Sequence, residues 1–299
     1  MMSLKTNRWR LAREALGAGL ALCMILALLL AAGPAQAKDQ DVFAPLRAEM
    51  IRQGMDPKQV DALLGDKSVR FEGRLMAILL APSERSLNYG QFLQPKTVKA
   101  GKVFMAKNAA TLAEAQKQSG VDPTVVVAIL SVESRLGQYT GNCSVFNVLA
   151  SQAVLDTPQA QKLVAKQWPG KQKAELTSAK TKKRFQRRAV WARQEMGSLI
   201  RLAQKEGRSP LDYKGSLAGA LGMAQFVPTS VLSWGKDADG DGQINLTHPD
   251  DAIHSVANYL KAHGWRPGLS KKAQIKVVLT YNNSKPYAKT VLGLAERLR

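Results

Sequence analysis

Val125-Val126-Val127-Ala128-Ile129-Leu130-Ser131-Val132-Glu133-Ser134-Arg135-Leu136-Gly137 is the stretch that decides how this chain is read. Its ends mark it as a helix: Asp122 supplies an N-cap, Pro123 suits the first helical position, and Gly137 stands just past the last turn. It is apolar almost all round, so it belongs inside a core. Glu133 falls in the last turn, where the helix dipole is negative, and shares its face with Val126, Ile129 and Leu130. Dipole and desolvation both push its pKa upward. A carboxyl group kept protonated near neutral pH is what a general acid requires, and glycosidases use one to protonate a leaving sugar oxygen. The alternative is a glutamate that pairs with an arginine at the helix end.

Outward from this helix, the N-terminal end of the chain sets the compartment. Residues 1–37 carry Lys5, Arg8, Arg10 and Arg13, then an apolar run from Ala15 to Ala32, then Ala35-Gln36-Ala37. This is the pattern of a secretory signal peptide cleaved after Ala37, which places the protein in the periplasm. An uncleaved, membrane-associated leader is the alternative, since the run is just long enough to span a thin bilayer. Cys23 follows Leu22 and makes a poor lipid-attachment site, so only Cys143 survives processing and no internal disulfide can form. The formal charge of +20 falls by a net three with the leader. So basic an exported chain suits a polyanionic or anionic partner, with cell-wall polymers and lipid headgroups as the candidates and nucleic acid excluded by location.

Apolar periodicity predicts helices over residues 41–65 and 73–81, a short helix from Thr111 to Ser119 closed by Gly120, and mostly helix over 144–166. Phe185, Ala189, Ala192, Met196, Leu199 and Ala203 recur every three or four residues until Gly207, the stripe of a core-facing helix. Ile275 to Thr280 reads as either strand or helix. The chain is therefore expected to be mainly α, with a helical N-terminal section at 38–110 packed on a catalytic domain at 111–299. Between Lys162 and Arg188 lie ten Lys/Arg and one acid, Glu175. A solvated face or a loop accounts for that segment better than a dedicated polyanion site.

Two further blocks carry chemistry. In Tyr213-Lys214-Gly215-Ser216-Leu217-Ala218-Gly219-Ala220-Leu221-Gly222-Met223-Ala224-Gln225-Phe226-Val227-Pro228 the glycines allow close backbone approach, while Gln225, Phe226 and Pro228 set an amide and a ring beside a bend, a way to hold a sugar. Thr280-Tyr281-Asn282-Asn283-Ser284 is a polar aromatic run before the last helix. With Glu133-Ser134-Arg135-Leu136-Gly137 and the run Ser255 to Trp265, these motifs resemble, in order, the catalytic core of the lytic murein transglycosylases of the B type. The resemblance covers most of the chain from about residue 41 onward.

It implies a lysozyme-like fold and cleavage, without water, of the β-1,4 bond between N-acetylmuramic acid and N-acetylglucosamine in peptidoglycan, giving a 1,6-anhydromuramoyl end. Glu133 would be acid and then base, with the sugar's own N-acetyl group replacing the second carboxylate that retaining hydrolases keep about 5 Å away. By the same resemblance Ser216 orients Glu133, Gln225 binds the muramoyl sugar, Tyr281 and Asn282 orient the N-acetyl group, and Tyr259 lines the groove. The expected partner is peptidoglycan, the protein is expected to be a monomer, and any contact with an anionic membrane surface would be peripheral.

Asp237-Ala238-Asp239-Gly240-Asp241-Gly242-Gln243-Ile244 matches the first two-thirds of an EF-hand loop. His248 stands where the closing Glu would be, which rules out the standard twelve-residue loop. A longer loop closed by Asp251, as the resemblance implies, takes Asp237, Asp239, Asp241, the Gln243 carbonyl and Asp251 as ligands of a structural calcium; an Asx-rich turn that binds nothing is the alternative. No organic cofactor is expected, and His248, His254 and His263 show no zinc spacing. Only fifteen residues separate Trp265 from Tyr281, a shorter segment than many B-type relatives carry, which implies a shallower groove. Two other functions stay open: a muramidase that admits water, and a non-catalytic basic protein that adheres to the wall.

Overall fold

Caps already visible in the sequence set most of the helix boundaries. The computed structural model describes residues 40–80, 88–168 and 176–299. The leader, the Pro82-Ser83 turn and the Pro169 to Glu175 part of the basic segment lie outside them. After a 3-10 turn at Gln40–Phe43 come α1 (Ala44–Arg52), α2 (Pro57–Leu64) and α3 (Gly73–Leu80). A second 3-10 turn, Tyr89–Leu93, leads into α4 (Pro95–Lys107), α5 (Ala109–Ser119) and α6 (Pro123–Ser134). The chain continues through β1 (Cys143–Ser144), α7 (Val145–Ala153), α8 (Pro158–Gln167), the long α9 (Ala179–Lys205), β2 (Lys214–Gly215) and α10 (Pro228–Trp234). It ends with α11 (Pro249–Ala262), α12 (Lys271–Tyr281) and α13 (Lys285–Leu298). Ile275 to Thr280 is thus helix: Val277, Val278 and Tyr281 turn inward at helical spacing.

Asp122 caps α6 as expected, its Oδ1 accepting from Thr124 N at 2.9 Å, and Ser144, Thr157, Ser178 and Ser284 cap α7, α8, α9 and α13 in the same way. Every residue of α6 from Thr124 to Ser134 is buried, so the helix is the axis of the core. Its far end differs from expectation. The left-handed position falls on Arg135 (φ 50°) and Leu136 (φ 59°), ahead of Gly137. Their N–H groups bond back to Ser131 and Leu130 at 3.1 and 3.0 Å. Two successive non-glycine residues in that region store strain directly after Glu133, and they turn the chain sharply toward β1.

Around α6, α4 and α13 pack on one side and α11 on another, α9 lies along α7 and α10, and α3 lies against α8. β1 and β2 pair antiparallel, Cys143 opposite Gly215. The basic segment divides. Lys180, Lys182 and Lys183 face solvent as a solvated face would, but Arg184 donates to Leu80 O (2.7 Å) and Arg188 to Gln152 Oε1 (2.5 Å), so those two charges tie α9 to α3 and α7.

Candidate active site

Glu133 reaches the site because α6 carries it to the point where α13 crosses. It is 4 % exposed. Tyr287, in the first turn of α13, donates its hydroxyl to Glu133 Oε1 at 2.6 Å, while Oε2 has no hydrogen-bond partner among the described residues. Burial pushes the carboxyl up to about 8, against a smaller downward pull from the Tyr287 hydrogen bond. No arginine among the described residues answers it, so the ion-pair alternative for Glu133 finds no support there. The charge of Glu133 also reaches Tyr281 and Tyr89: burial first, and that charge second, hold the Tyr281 phenol well above its ordinary range. The Tyr89 phenol is raised by burial and by Glu133 against an opposing hydrogen bond from Ser284. The acid thus sits among phenols, and no other carboxylate contributes to its shift.

The wall facing it is the glycine-rich segment, buried from Gly215 to Val227. Backbone packing accounts for its glycines. A Cβ on Gly215 would lie 2.1 Å from Ala220 O, and one on Gly222 (φ 62°) 2.4 Å from the Leu246 backbone. Ser216 Oγ accepts from Ala220 N at 3.1 Å and so closes this loop; with Oε2 unpartnered, the hydroxyl makes no bond to Glu133 here. Gln225 is held in a left-handed conformation (φ 51°), its Nε2 donating to Thr140 O and Gly222 O at 3.1 and 2.8 Å. That amide nitrogen staples the wall to the loop after Glu133.

Tyr281 and Tyr259 hold the next part of the wall through backbone contacts. Tyr281 donates to Ala224 O (2.5 Å), Tyr259 to Thr280 O (2.7 Å), and their rings meet edge to face at 4.9 Å. Phe226, Trp234 and His263 extend the aromatic cluster, His263 stacking on Tyr259 at 4.0 Å. Asn282 behaves differently. It is buried, and both Nδ2 and Oδ1 lack partners among the described residues. An amide left so costs about 1–3 kcal/mol per unmet group.

Sequence reasoning missed Tyr287 and Tyr89. Tyr287 had one signal: it lies on the buried stripe of α13 with Ala288, Val291 and Leu294, and a tyrosine on such a stripe needs a partner for its hydroxyl.

The acidic loop lies on the other side of α10. One carboxylate oxygen from each of Asp237, Asp239 and Asp251 can be chosen so that the three fall within 4.8 Å of one another. Asp241 is not one of the three, and its Oδ1 accepts from Gln243 N at 2.8 Å. Asp251, wholly buried at the start of α11, takes Ala238 N on one oxygen (2.8 Å) and Asn245 N on the other (2.6 Å). Burial raises its pKa, the two amides oppose this, and Asp239 and Asp237 add to the rise. A second buried brace was not foreseen: Glu206, at the end of α9, accepts from Ile244 N (3.0 Å) and from the Tyr213 hydroxyl (2.5 Å).

Comparison with known proteins decides the family. A family model described as the transglycosylase SLT domain matches residues 38–278. The chain belongs to that family. Membrane-bound lytic murein transglycosylase B of Escherichia coli strain K12 is 34 % identical over 178 residues, which are 60 % of this chain and 41 % of that protein; the match spans less than half of the relative's length. Soluble lytic transglycosylase SltB1 from Pseudomonas aeruginosa superposes with a TM-score of 0.69 at 25 % identity, covering 86 % of this chain and 97 % of that one. The Escherichia coli lytic transglycosylase SLT35 in complex with calcium gives 0.67 at 25 % identity, over 89 % and 95 %. This SLT-domain chain therefore has the mainly helical, lysozyme-like fold of the lytic transglycosylases.

Proposed function

We propose that this chain is a peptidoglycan lytic transglycosylase in which Glu133 is the sole proton-transfer group. The observation that carries the reading is a carboxyl buried at the end of an apolar helix with one of its oxygens unpartnered among the described residues, a setting that pushes its pKa up. As acid, Glu133 gives its proton to the glycosidic oxygen between N-acetylmuramic acid and N-acetylglucosamine while the C1–O bond breaks. The N-acetyl carbonyl of the muramoyl residue stabilises the cationic carbon from its own ring. The carboxylate left behind accepts the Tyr287 hydroxyl and then takes the proton of the muramoyl C6 hydroxyl as that oxygen bonds to C1. The proton count closes without water. The product is a 1,6-anhydromuramoyl end.

The other residues bind and orient. Asn282, with donor and acceptor both unpaired among the described residues, is suited to an N-acetyl amide, while Tyr259 and Tyr281, buried and packed on each other, hold the wall behind the sugar. Ser216 and Gln225 act through the wall they brace, with the Ser216 hydroxyl proton left to give to substrate or to Glu133.

The Asp237, Asp239 and Asp251 oxygens are a hard donor set that fits calcium. Bound there, the ion would neutralise carboxylates that otherwise repel and would tie the loop to α11; it would take no part in the proton transfers. The same reading has the chain exported to the periplasm by a leader ending at Ala37, with residues 38–110 packed on a catalytic domain at 111–299.

Mass spectrometry of products from purified peptidoglycan, wild type beside Glu133→Gln, tests the reading. Anhydromuramoyl products from the wild type alone are expected. Reducing ends would make the protein a muramidase, and no products from either would leave a wall-binding protein.

A further inference from the structure

Away from the aromatic wall, α4 presents a face that the proposed cleavage leaves unused. Its sequence, Pro95-Lys96-Thr97-Val98-Lys99-Ala100-Gly101-Lys102-Val103-Phe104-Met105-Ala106-Lys107, holds four lysines and no acid. All four lysines are exposed. Val103, at 47 %, is one of three large hydrophobic residues exposed among the described ones. Beside it runs an open groove of about 660 Å³ with a nearly wholly apolar floor, set by Leu93, Val98, Val103 and Ala106 and edged by Lys99, Lys102 and Arg297.

An apolar strip rimmed by long cationic side chains has a specific physical use. Lysine stems lie along apolar surface while their ammonium groups reach outward to phosphate. A neutral peptide or sugar would gain nothing from the rim, and an acidic soluble partner would gain little from the apolar floor. An anionic bilayer meets both, with acyl-chain boundary against Val103 and Ala106 and headgroup phosphates against Lys96, Lys99, Lys102 and Arg297.

We propose that the exposed face of α4, with its groove, is a peripheral docking surface for anionic phospholipid bilayers, independent of any leader or lipid anchor. α4 packs directly on α6 and α13, the helices that bear Glu133 and Tyr287, so docking there would hold the catalytic pair at a fixed height over the membrane. The inference does not depend on the chemistry proposed for Glu133.

The test is flotation of the protein from Lys38 onward, which retains every described residue, with vesicles of phosphatidylglycerol and phosphatidylcholine against phosphatidylcholine alone. Binding to the anionic vesicles only is expected. Lys99→Gln/Lys102→Gln should lower the partition coefficient about thirtyfold. Val103→Gln should weaken binding even where salt has screened the charges. Lys182→Gln/Lys183→Gln removes the same charge from an exposed part of α9 and should change binding less than threefold. Circular dichroism confirms that each variant is folded, and Glu133→Gln should bind as the wild type does. Failure to float with anionic vesicles, or equal losses from the α4 and α9 pairs, overturns the proposal.

Discussion

Glu133 and Asp251 are both carboxylates buried at helix ends, both raised in pKa by burial, and the chain surrounds their oxygens differently. Asp251 sits at the start of α11, where the dipole favours negative charge, and backbone amides cover both of its oxygens. Glu133 sits at the end of α6, where the dipole opposes charge, with one phenol on one oxygen and nothing on the other. Asp251 is therefore braced, with Asp237 and Asp239 brought near as a cation would need. Glu133 is left uncompensated, and so it keeps its proton. Burial alone does not make an acid catalytic; what the surroundings supply to its charged form decides.

The largest effect expected from this contrast is on turnover. Glu133→Gln keeps shape and neutrality but cannot pass a proton, and product formation should fall by at least about a thousandfold; a residual rate within tenfold of wild type would break the contrast.

The same substitution reports on stability. Because the folded pKa of Glu133 is raised, to about 8 from 4.5, its stabilising contribution is complete below pH 4.5 and is lost as pH rises toward 8. The unfolding free energy of Glu133→Gln relative to wild type should therefore rise over that window by a few kcal/mol, as an order of magnitude from the linkage relation. Denaturant titrations at pH 4.5, 6 and 8 measure it, and a pH-independent difference would contradict it.

At the braced acid, Asp251→Ala strands two amides and should cost about 3 kcal/mol. It should also abolish the calcium-dependent rise in wild-type stability, which at a hundredfold excess over Kd amounts to about 2.7 kcal/mol. Differential scanning calorimetry with calcium and with chelator checks both. Equal thermograms for the wild type would remove calcium from the account.

The smallest effect sharpens the contrast from the other side. Tyr287→Phe removes the one donor among the described residues that stabilises ionised Glu133. Its pKa should climb further, the basic limb of the pH–rate profile should move to higher pH, and the rate should drop about tenfold, near 1.4 kcal/mol. A profile unmoved on its basic limb would show that Tyr287 only packs.

How much of this was legible in the sequence follows from the range of the interactions. Asp122, Pro123 and the apolar run gave α6 because caps and periodicity act within one or two turns. The same local rule left Ile275–Thr280 open, since five β-branched or apolar residues around Lys276 suit either period until packing against α11 and α13 chooses. Glu133 stood out because an acid in an apolar helix is anomalous wherever it lands. Tyr287 did not, being 154 residues away and meaningful only once α13 crosses α6. Ser216 was expected to orient Glu133, but its Oγ accepts from Ala220 N, four residues on, a loop closure that a motif match does not reveal. In the acidic loop, spacing pointed to Asp237, Asp239 and Asp241 and the family resemblance to Asp251; oxygens of Asp237, Asp239 and Asp251 lie together, while Asp241 Oδ1 accepts from Gln243 N.

The most direct test of the central claim is the titration of Glu133 itself. The carboxyl carbon signal of ¹³C-glutamate-labelled protein, assigned by its absence in Glu133→Gln, would be followed from pH 4 to 10. A midpoint near 8 is predicted, and a midpoint near 4.5 would contradict the account by showing that the buried glutamate is ionised before any substrate arrives.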